Sequence, residues 1–163
     1  MPVEPCLSAL RARIARLLPG ADLVHVGATA VPDALTKGDV DLMVRVSSGE
    51  FEPAARALRS AYAIHQPENW TPTYASFVDP AATDPPVGVQ LVVVGSRDEA
   101  LFEPFLDALR GDPALLDEYN ALKRRLDGSD YERYTREKGD FIERAMSRRP
   151  AGGLSDNRTK EER

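Results

Sequence analysis

An alternating segment, DVDLMVRV at residues 39–46, constrains the fold of this chain more than any other part of the sequence. Four apolar residues occupy every second position of this segment: Val40, Leu42, Val44 and Val46. A period of two is typical of a β-strand whose two faces meet different surroundings. Because the apolar set occupies the core face, the strand predicts that Asp39 and Asp41 project together from the other face. Carboxylates two residues apart on a strand lie about 7 Å apart along the backbone.

The segments around this strand predict an α+β domain with a mixed β-sheet. A helical apolar pattern over residues 7–18 stops at Pro19-Gly20, and short strands are expected at 23–26, 63–65 and 73–79. The S-x-x-E capping box at 47–50 predicts a helix that runs to about residue 62. Residues 79–86, DPAATDPP, are expected to form a mobile loop. The β-branched run VGVQLVVV at 87–94 predicts a central strand.

The second half of the chain is expected to be helical. A second capping box at 96–99 opens one predicted helix, and Asp112-Pro113 provides an N-cap and an N1 proline for the next. A last helix holds the apolar positions between 131 and 146. The sequence therefore predicts one domain over 1–147, helices flanking the sheet, and a flexible tail over 148–163 that lacks apolar content.

Composition excludes several classes of protein. The chain has 163 residues and a single cysteine, so neither an intramolecular disulfide framework nor a multi-cysteine zinc module is expected. No apolar run reaches the roughly 18–20 residues of a membrane span, and the N-terminus lacks a signal peptide's apolar region. We therefore expect a cytoplasmic protein without a membrane partner. The formal net charge of −5 argues against broad nucleic-acid binding, and composition leaves the oligomeric state open.

The strongest candidate for chemistry is the segment HVGATAVPDALTKGDVDLMV at residues 25–44. A predicted strand ends in the turn Gly27-Ala28, and Asp39 and Asp41 open the next strand ten residues later. Two carboxylates at this spacing suit Mg²⁺ or Mn²⁺, which prefer oxygen ligands. Backbone N–H groups of the glycine turn are suited to bind a phosphate. The alternative interpretation is that both acids simply face solvent at the start of a strand.

The same segment resembles a known signature. A glycine with a small residue, followed about a dozen residues later by D-hydrophobic-D-hydrophobic, is similar to the nucleotidyltransferase superfamily with the DNA polymerase β-like fold. More closely, residues 25–44 resemble the HIGST-x-VPGL-x-x-K-x-x-x-DI segment of the GrpB family. The closing segments VVVGS, FLDALRGDPALLDEYNALKRRL and Y-x-x-x-K-x-x-FI resemble that family too. The resemblance covers about residues 24–146.

The resemblance implies roles for individual residues. Asp39 and Asp41 would be the catalytic pair that holds Mg²⁺ or Mn²⁺, and Gly27 and Ala28 would form the turn that faces phosphate. Three lysines match the family pattern and would neutralise phosphate charge, unless they are solvated surface residues: Lys37, Lys123 and Lys138. His25 and Gln90 would hold the metal-binding residues in position without binding the metal themselves.

Three departures from the family pattern bear on activity. Ala28 replaces the usual serine of the turn, where the hydroxyl of Thr29 is a candidate substitute, and Asp33 replaces the glycine of V-P-G. Active members of the superfamily usually bring a third carboxylate from a later strand. The only polar side chain in VGVQLVVV is the amide of Gln90, which cannot act as a general base. Substitutes for the third carboxylate are Asp79, which ends a predicted strand, and two weaker candidates, Asp84 and Glu68.

Two functional hypotheses follow from the sequence. In the first, a metal-dependent nucleotidyltransferase moves a nucleoside monophosphate from a nucleoside triphosphate to a hydroxyl of a small molecule or protein. In the second, the same fold is a catalytically inert module that binds a nucleotide, a metabolite or a partner. Aromatic residues near the expected cleft would stack on a base or belong to the core: Trp70, Tyr74 and Phe77.

Overall fold

The computed structural model describes residues 3–148, which form eleven regular elements. The sheet contains five strands: β1 (Asp22–Val26), β2 (Val40–Val46), β3 (Ala63–His65), β4 (Tyr74–Thr83) and β5 (Pro86–Val93). Two helices belong to the first half of the chain: α1 (Val3–Leu17) and α2 (Phe51–Arg59). Four helices follow the last strand: α3 (Arg97–Ala100), α4 (Glu103–Gly111), α5 (Pro113–Leu126) and α6 (Tyr131–Ser147).

The sheet is mixed, with strand order β1-β2-β5-β4-β3. Strands β2 and β5 pair in parallel, and the other neighbouring pairs are antiparallel. Strand β5 lies in the middle, which explains its run of β-branched residues, because a central strand is covered on both faces. The prediction of an α+β fold with a mixed sheet and a helical C-terminal half is confirmed.

Each face of the sheet packs against its own helices. The closed face, which carries Leu42 and Val89, forms one apolar cluster with α1 and α2. The opposite face, here called the cavity face, carries Met43 and Val92 and packs against α4, α5 and α6. The alternation in β2 therefore separates two covered faces. Asp41 belongs to the cavity face, whereas Asp39 lies just before the first residue of β2.

Two local predictions were wrong. Strand β4 continues to Thr83 and turns directly into β5 at Pro86, so residues 79–86 form the turn end of the β4–β5 hairpin. Its proline-rich tip suggested a loop, but proline is compatible with the start of a strand. At the first capping box, Ser47 makes no side-chain cap, because a 3₁₀ turn over Ser48–Glu50 intervenes. Helix α2 consequently begins at Phe51 and ends at Arg59.

The other helix-start signals operate as predicted. The Ser96 hydroxyl accepts the Glu99 N–H at 3.2 Å, although the helix it opens breaks after Ala100 and resumes as α4. The Asp112 carboxylate accepts the Leu115 N–H at 3.1 Å and caps α5. No helix among residues 3–148 is long and apolar enough to cross a membrane. The predicted flexible tail over 148–163 lies, apart from Arg148, outside the described residues.

Candidate functional site

The carboxylate of Asp41 lies in a gap between two glycines. Strand β2 runs between β1 and β5, so Asp41 has Val26 on one side and Gly88 on the other. A Cβ atom on Gly27 would lie 2.7 Å from Asp41 Oδ2, and a Cβ atom on Gly88 would lie closer still to Oδ1. Gly27 also has a φ of +78°, which favours glycine. The two glycines therefore make the space that the carboxylate occupies.

The surroundings of Asp41 favour a nearby positive charge. Burial raises the pKa of this carboxyl group, and the neighbouring Asp39 raises it further. Gln90 Nε2 donates a hydrogen bond to Asp41 Oδ1 at 3.2 Å, which acts in the opposite direction, as does the ammonium group of Lys138. A partly desolvated carboxylate beside a second one is stabilised by a cation.

The turn between β1 and Asp39 is held by a short hydrogen-bond chain. His25 Nε2 lies 2.9 Å from Thr29 Oγ1, and the Thr29 hydroxyl donates to the Asp39 carbonyl at 3.0 Å. This chain requires the His25 tautomer whose Nε2 donates. His25 pairs with Leu42 in the sheet and so projects from the closed face, opposite to Asp41. Burial, followed by the charge of Arg11, lowers the pKa of His25.

Helix α5 holds the loop over residues 31–38 that leads to Asp39. The buried amide of Asn120 accepts the Leu35 N–H at 2.8 Å and donates to the Asp33 carbonyl at 3.1 Å. Lys123 Nζ donates to the Leu35 carbonyl at 2.6 Å. These bonds fix a loop that includes a non-glycine residue at positive φ, since Asp33 has a φ of +64°. Asp33 therefore adopts a left-handed conformation that non-glycine residues seldom take.

Sequence reasoning missed Asn120 and Gly88. Asn120 follows Leu116 by four residues on α5, so a polar side chain occupies a position that lies on the apolar face of the helix. That pattern was a usable signal for a buried hydrogen-bonding role. Gly88 interrupts a β-branched strand, which is typical of a close approach by another group.

The three predicted phosphate-binding lysines differ in position. Lys138 lines the same cavity as Asp41 and interacts with it electrostatically, and its ammonium group is 5.9 Å from the centre of the Tyr134 ring. Lys123 is half-buried over the Tyr119 ring, at 4.5 Å, and interacts electrostatically with both Lys138 and Asp39. Burial, with the charge of Lys138, lowers the pKa of Lys123 to about 8. Lys37 is exposed on the loop.

A cavity of about 380 Å³ lies on the cavity face; Asp41 and Lys138 line it, whereas Asp39, Lys37 and Lys123 do not. Its polar wall includes the Gly27-Ala28 turn, Asp41, Gln90 and Lys138. Its apolar wall comes from the sheet and from α4, α5 and α6, with these residues: Val26, Tyr74, Phe105, Leu106, Leu109, Tyr119 and Ile142. Of the three aromatic residues noted in the sequence, only Tyr74 lines this cavity. Trp70 packs on Phe77, with ring centres 5.3 Å apart, and Phe77 is buried in the closed-face core.

None of the candidate third carboxylates joins the pair. Asp79 projects from the closed face and forms an ion pair with Arg13 of α1 at 2.7 Å. Asp84 and Glu68 are exposed and do not line the cavity. Asp98 of α3 lines the cavity but accepts hydrogen bonds from the hydroxyls of Thr71 and Thr73. Over the described residues, no group of three or more His, Cys, Asp or Glu side chains is arranged to hold a metal ion.

The donor set of the Asp39–Asp41 pair fits Mg²⁺ or Mn²⁺ bound together with a phosphate ligand. Both residues offer hard oxygen atoms, and the gap between Gly27 and Gly88 leaves the Asp41 carboxylate free of covering side chains on two sides. Mg²⁺ is commonly bound through one or two carboxylates, with substrate phosphates and waters as the remaining ligands.

Sequence relatives of this chain include UPF0157 proteins from two bacteria. A UPF0157 protein of Vibrio cholerae is 37% identical over 134 residues, which cover 82% of this chain and 70% of the relative. A UPF0157 protein of Deinococcus radiodurans is 32% identical over 142 residues, covering 85% and 72%.

Solved structures share the fold. The conserved protein GrpB from Enterococcus faecalis superposes with a TM-score of 0.70 at 18% identity, covering 88% of this chain and 92% of the other. The Cid1 poly(U) polymerase, in its Mg 3′-dATP-bound and MgGTP-bound structures, gives TM-scores of 0.51 and 0.52 at 17% and 15% identity. The match covers 76% of this chain and about 40% of the Cid1 chain. These likenesses confirm the nucleotidyltransferase-like fold.

The family comparison agrees with the sequence relatives and with the solved structures. The model of the family described as GrpB protein matches residues 5–148, which is most of the chain and includes every predicted site residue. The resemblance that the sequence motifs indicated is confirmed, and this chain belongs to the GrpB family.

Proposed function

We propose that this protein binds a nucleoside triphosphate with Mg²⁺ or Mn²⁺ at Asp39 and Asp41 and transfers the nucleoside monophosphate to an acceptor hydroxyl. One observation carries the proposal. The Asp41 carboxylate lies between Gly27 and Gly88 at the wall of a cavity that Lys138 also lines, and it interacts electrostatically with Lys138 and Asp39. A carboxylate pair next to a cation and a glycine turn suits a metal–phosphate complex.

Different residues of the site would bind different parts of the metal–triphosphate complex. Asp39 and Asp41 would hold the divalent ion, which supplies charge neutralisation for the phosphates. Lys138 would contribute a second positive charge, and the N–H groups of the Gly27-Ala28 turn would donate to phosphate oxygens. Gln90 orients Asp41 by donating to its Oδ1 atom.

The proposed transfer is a substitution at the α-phosphorus. The acceptor oxygen forms a new bond to that phosphorus while the bond from the α-phosphorus to the bridging oxygen of pyrophosphate breaks. Pyrophosphate leaves with the bonding electron pair, and the hydroxyl proton passes to solvent. Positioning and charge stabilisation supply most of the catalysis in phosphoryl transfer, which a site of this composition can provide. The Mg-nucleotide complexes of the Cid1 polymerase support the choice of ligand through fold similarity.

A second candidate function, nucleotide binding without turnover, is favoured by Gln90. An amide occupies the strand from which active relatives of the fold bring a further carboxylate, and it cannot remove the acceptor proton. Ala28 also removes a hydroxyl from the phosphate-facing turn. In this alternative the same residues bind the nucleotide and its metal, and no pyrophosphate forms.

The two functions are tested in sequence, first by binding and then by turnover. Thermal unfolding is measured with ATP, GTP, CTP and UTP, each with and without Mg²⁺ or Mn²⁺, since a ligand of the folded state raises Tm. We expect a shift that requires nucleotide and metal together and that disappears in the D39N/D41N variant. The control D84N/D117N removes two exposed acids that do not line the cavity and should keep the shift.

An unchanged shift in D39N/D41N would contradict the proposed site. Once binding is established, release of pyrophosphate is measured with hydroxyl-bearing acceptors. Metal-dependent release that is lost in D41N supports transfer, and its absence with every acceptor supports the binding module.

A further inference from the structure

We infer that the acceptor is a small neutral or cationic molecule with an apolar body, bound inside the cavity with its hydroxyl group against Gln90. This inference rests on the proposed function, because it assigns the second substrate of the same site. It excludes anionic metabolites and phosphorylated polymers such as RNA as acceptors.

The apolar depth of the cavity determines the body of the ligand. Leu106, Leu109 and Phe105 of α4 line it from one side, and Val26 of β1 and Ile142 of α6 line it from others. Its volume of about 380 Å³ lies within the range of pockets that enclose small ligands. A triphosphate would lose its hydration against these apolar side chains without compensation, so the phosphates belong at the polar wall, near Asp41 and Lys138.

The charges around the cavity determine the charge of the ligand. Three carboxylates line it, from Asp41, Asp98 and Glu143, against the single ammonium group of Lys138. Asp98 accepts hydrogen bonds from the hydroxyl groups of Thr71 and Thr73. An anionic acceptor would therefore be repelled, whereas a neutral molecule or an amine would not.

The amide of Gln90 determines where the acceptor hydroxyl lies. Its Nε2 atom donates to Asp41, whereas its Oε1 atom is buried and has no hydrogen-bond partner within residues 3–148. A buried carbonyl oxygen without a donor is unfavourable. A ligand hydroxyl that donates to Oε1 satisfies this atom and is brought beside the carboxylate that holds the metal.

The first test uses three probes that share one apolar body: 2-(1-naphthyl)ethanol, 2-(1-naphthyl)ethylamine and 1-naphthylacetate. Binding to the full chain is measured by calorimetry. We expect the alcohol and the amine to bind at least tenfold more tightly than the carboxylate. Equal binding of the carboxylate, or binding of none of the three, would overturn the inference.

Variants locate the probe. I142W fills the cavity from α6, and I64W places the same side chain on the exposed edge strand β3, away from it. The alcohol should lose at least tenfold in affinity in I142W and nothing in I64W, with circular dichroism confirming that both variants fold. Q90M removes the acceptor atom, so the alcohol should lose affinity while its methyl ether does not. Unchanged alcohol binding in I142W would place the probe elsewhere and refute the cavity assignment.

Competition with MgATP separates this inference from the proposed function. If MgATP and the alcohol bind together, the cavity belongs to the acceptor, as inferred. If they exclude each other, the cavity holds the nucleotide base, which overturns the inference and leaves the proposed function intact. Alcohol binding that persists in D39N/D41N, where MgATP binding is lost, shows that the two sites are independent.

Discussion

The two faces of the sheet have different roles. On the closed face, α1 and α2 cover an apolar cluster in which Ile14, Leu42 and Leu58 have no exposed surface. On the cavity face, α4, α5 and α6 stand over Met43 and Val92 but leave a cavity, with Asp41 and Gln90 at its wall. One face is closely packed, and the other keeps space for polar groups and a ligand. The proposed function thus uses the side of the sheet that is less closely packed.

The largest effects should come from removing core volume, and they should differ between the faces. L58A removes a fully buried side chain from the closed face and should lower the free energy of unfolding by about 3–5 kcal/mol. L106A removes the same atoms at the edge of the existing cavity, where fewer neighbours surround them, and should cost about 2–3 kcal/mol. Urea unfolding of both variants measures the difference. Equal losses would show that the cavity face is as closely packed as the closed face.

A smaller effect should reveal the space that Asp41 needs. G27A and G20A both place alanine at a positive φ, +78° and +83°, but only Gly27 is in contact with Asp41. G20A should cost about 1 kcal/mol through the backbone alone. G27A should cost roughly 1–3 kcal/mol more, because the new Cβ meets the carboxylate and a neighbour must move. Matching losses in denaturant unfolding would mean that the carboxylate moves away freely.

The polar wall of the cavity face should respond to one added charge. Q90E places a third carboxylate beside Asp41 and should strengthen Mn²⁺ binding by roughly tenfold, since oxygen donors near a metal have effects of this size. The Mn²⁺ affinity of Q90E is compared with that of the wild type, whose glutamine has nearly the same shape without the charge. Q90M serves as the apolar control. Titration of Mn²⁺ by electron paramagnetic resonance measures the affinity. No gain in Q90E would place the metal away from Gln90.

The smallest effect is a pH dependence at the edge of the cavity face. The folded pKa of Lys123, about 8, lies below the ordinary value of 10.5, so the folded state releases this proton more readily than the unfolded state. Stability contributed by this group therefore rises as the pH increases from 8 to 10.5 and is at its minimum below 8. Relative to K123M, the wild type should gain stability across that window in urea unfolding. A constant difference between the two proteins would contradict the lowered pKa.

Local patterns in the sequence predicted most elements of the fold. The alternation in residues 40–46 and the cap at Asp112 specify their own structure, because a strand period and an N-cap depend on neighbouring residues alone. Residues 79–86 were assigned wrongly, since whether a proline-rich stretch pairs as a hairpin depends on the partner strand. The pairing of β2 with β5 joins residues almost fifty positions apart and has no local signal.

The candidate site was predictable only in part. The spacing of Gly27, Asp39 and Asp41 indicated the group, and the structure brings Lys123 and Lys138 to it. In the structure His25 lies on the closed face, and Asp79 forms an ion pair with Arg13 of α1. These outcomes depend on strand register and helix packing, which motifs do not encode.

The attachment of the 31–38 loop to Asn120 and Lys123 has a consequence for the order in which the molecule is built. During synthesis the five strands emerge before α5, so the sheet can pair while the loop that leads to Asp39 still lacks its anchors. The loop becomes fixed only when residues more than eighty positions downstream leave the ribosome. A nascent or truncated chain would carry both aspartates without a formed site, and binding competence would therefore report that the last third of the domain has folded.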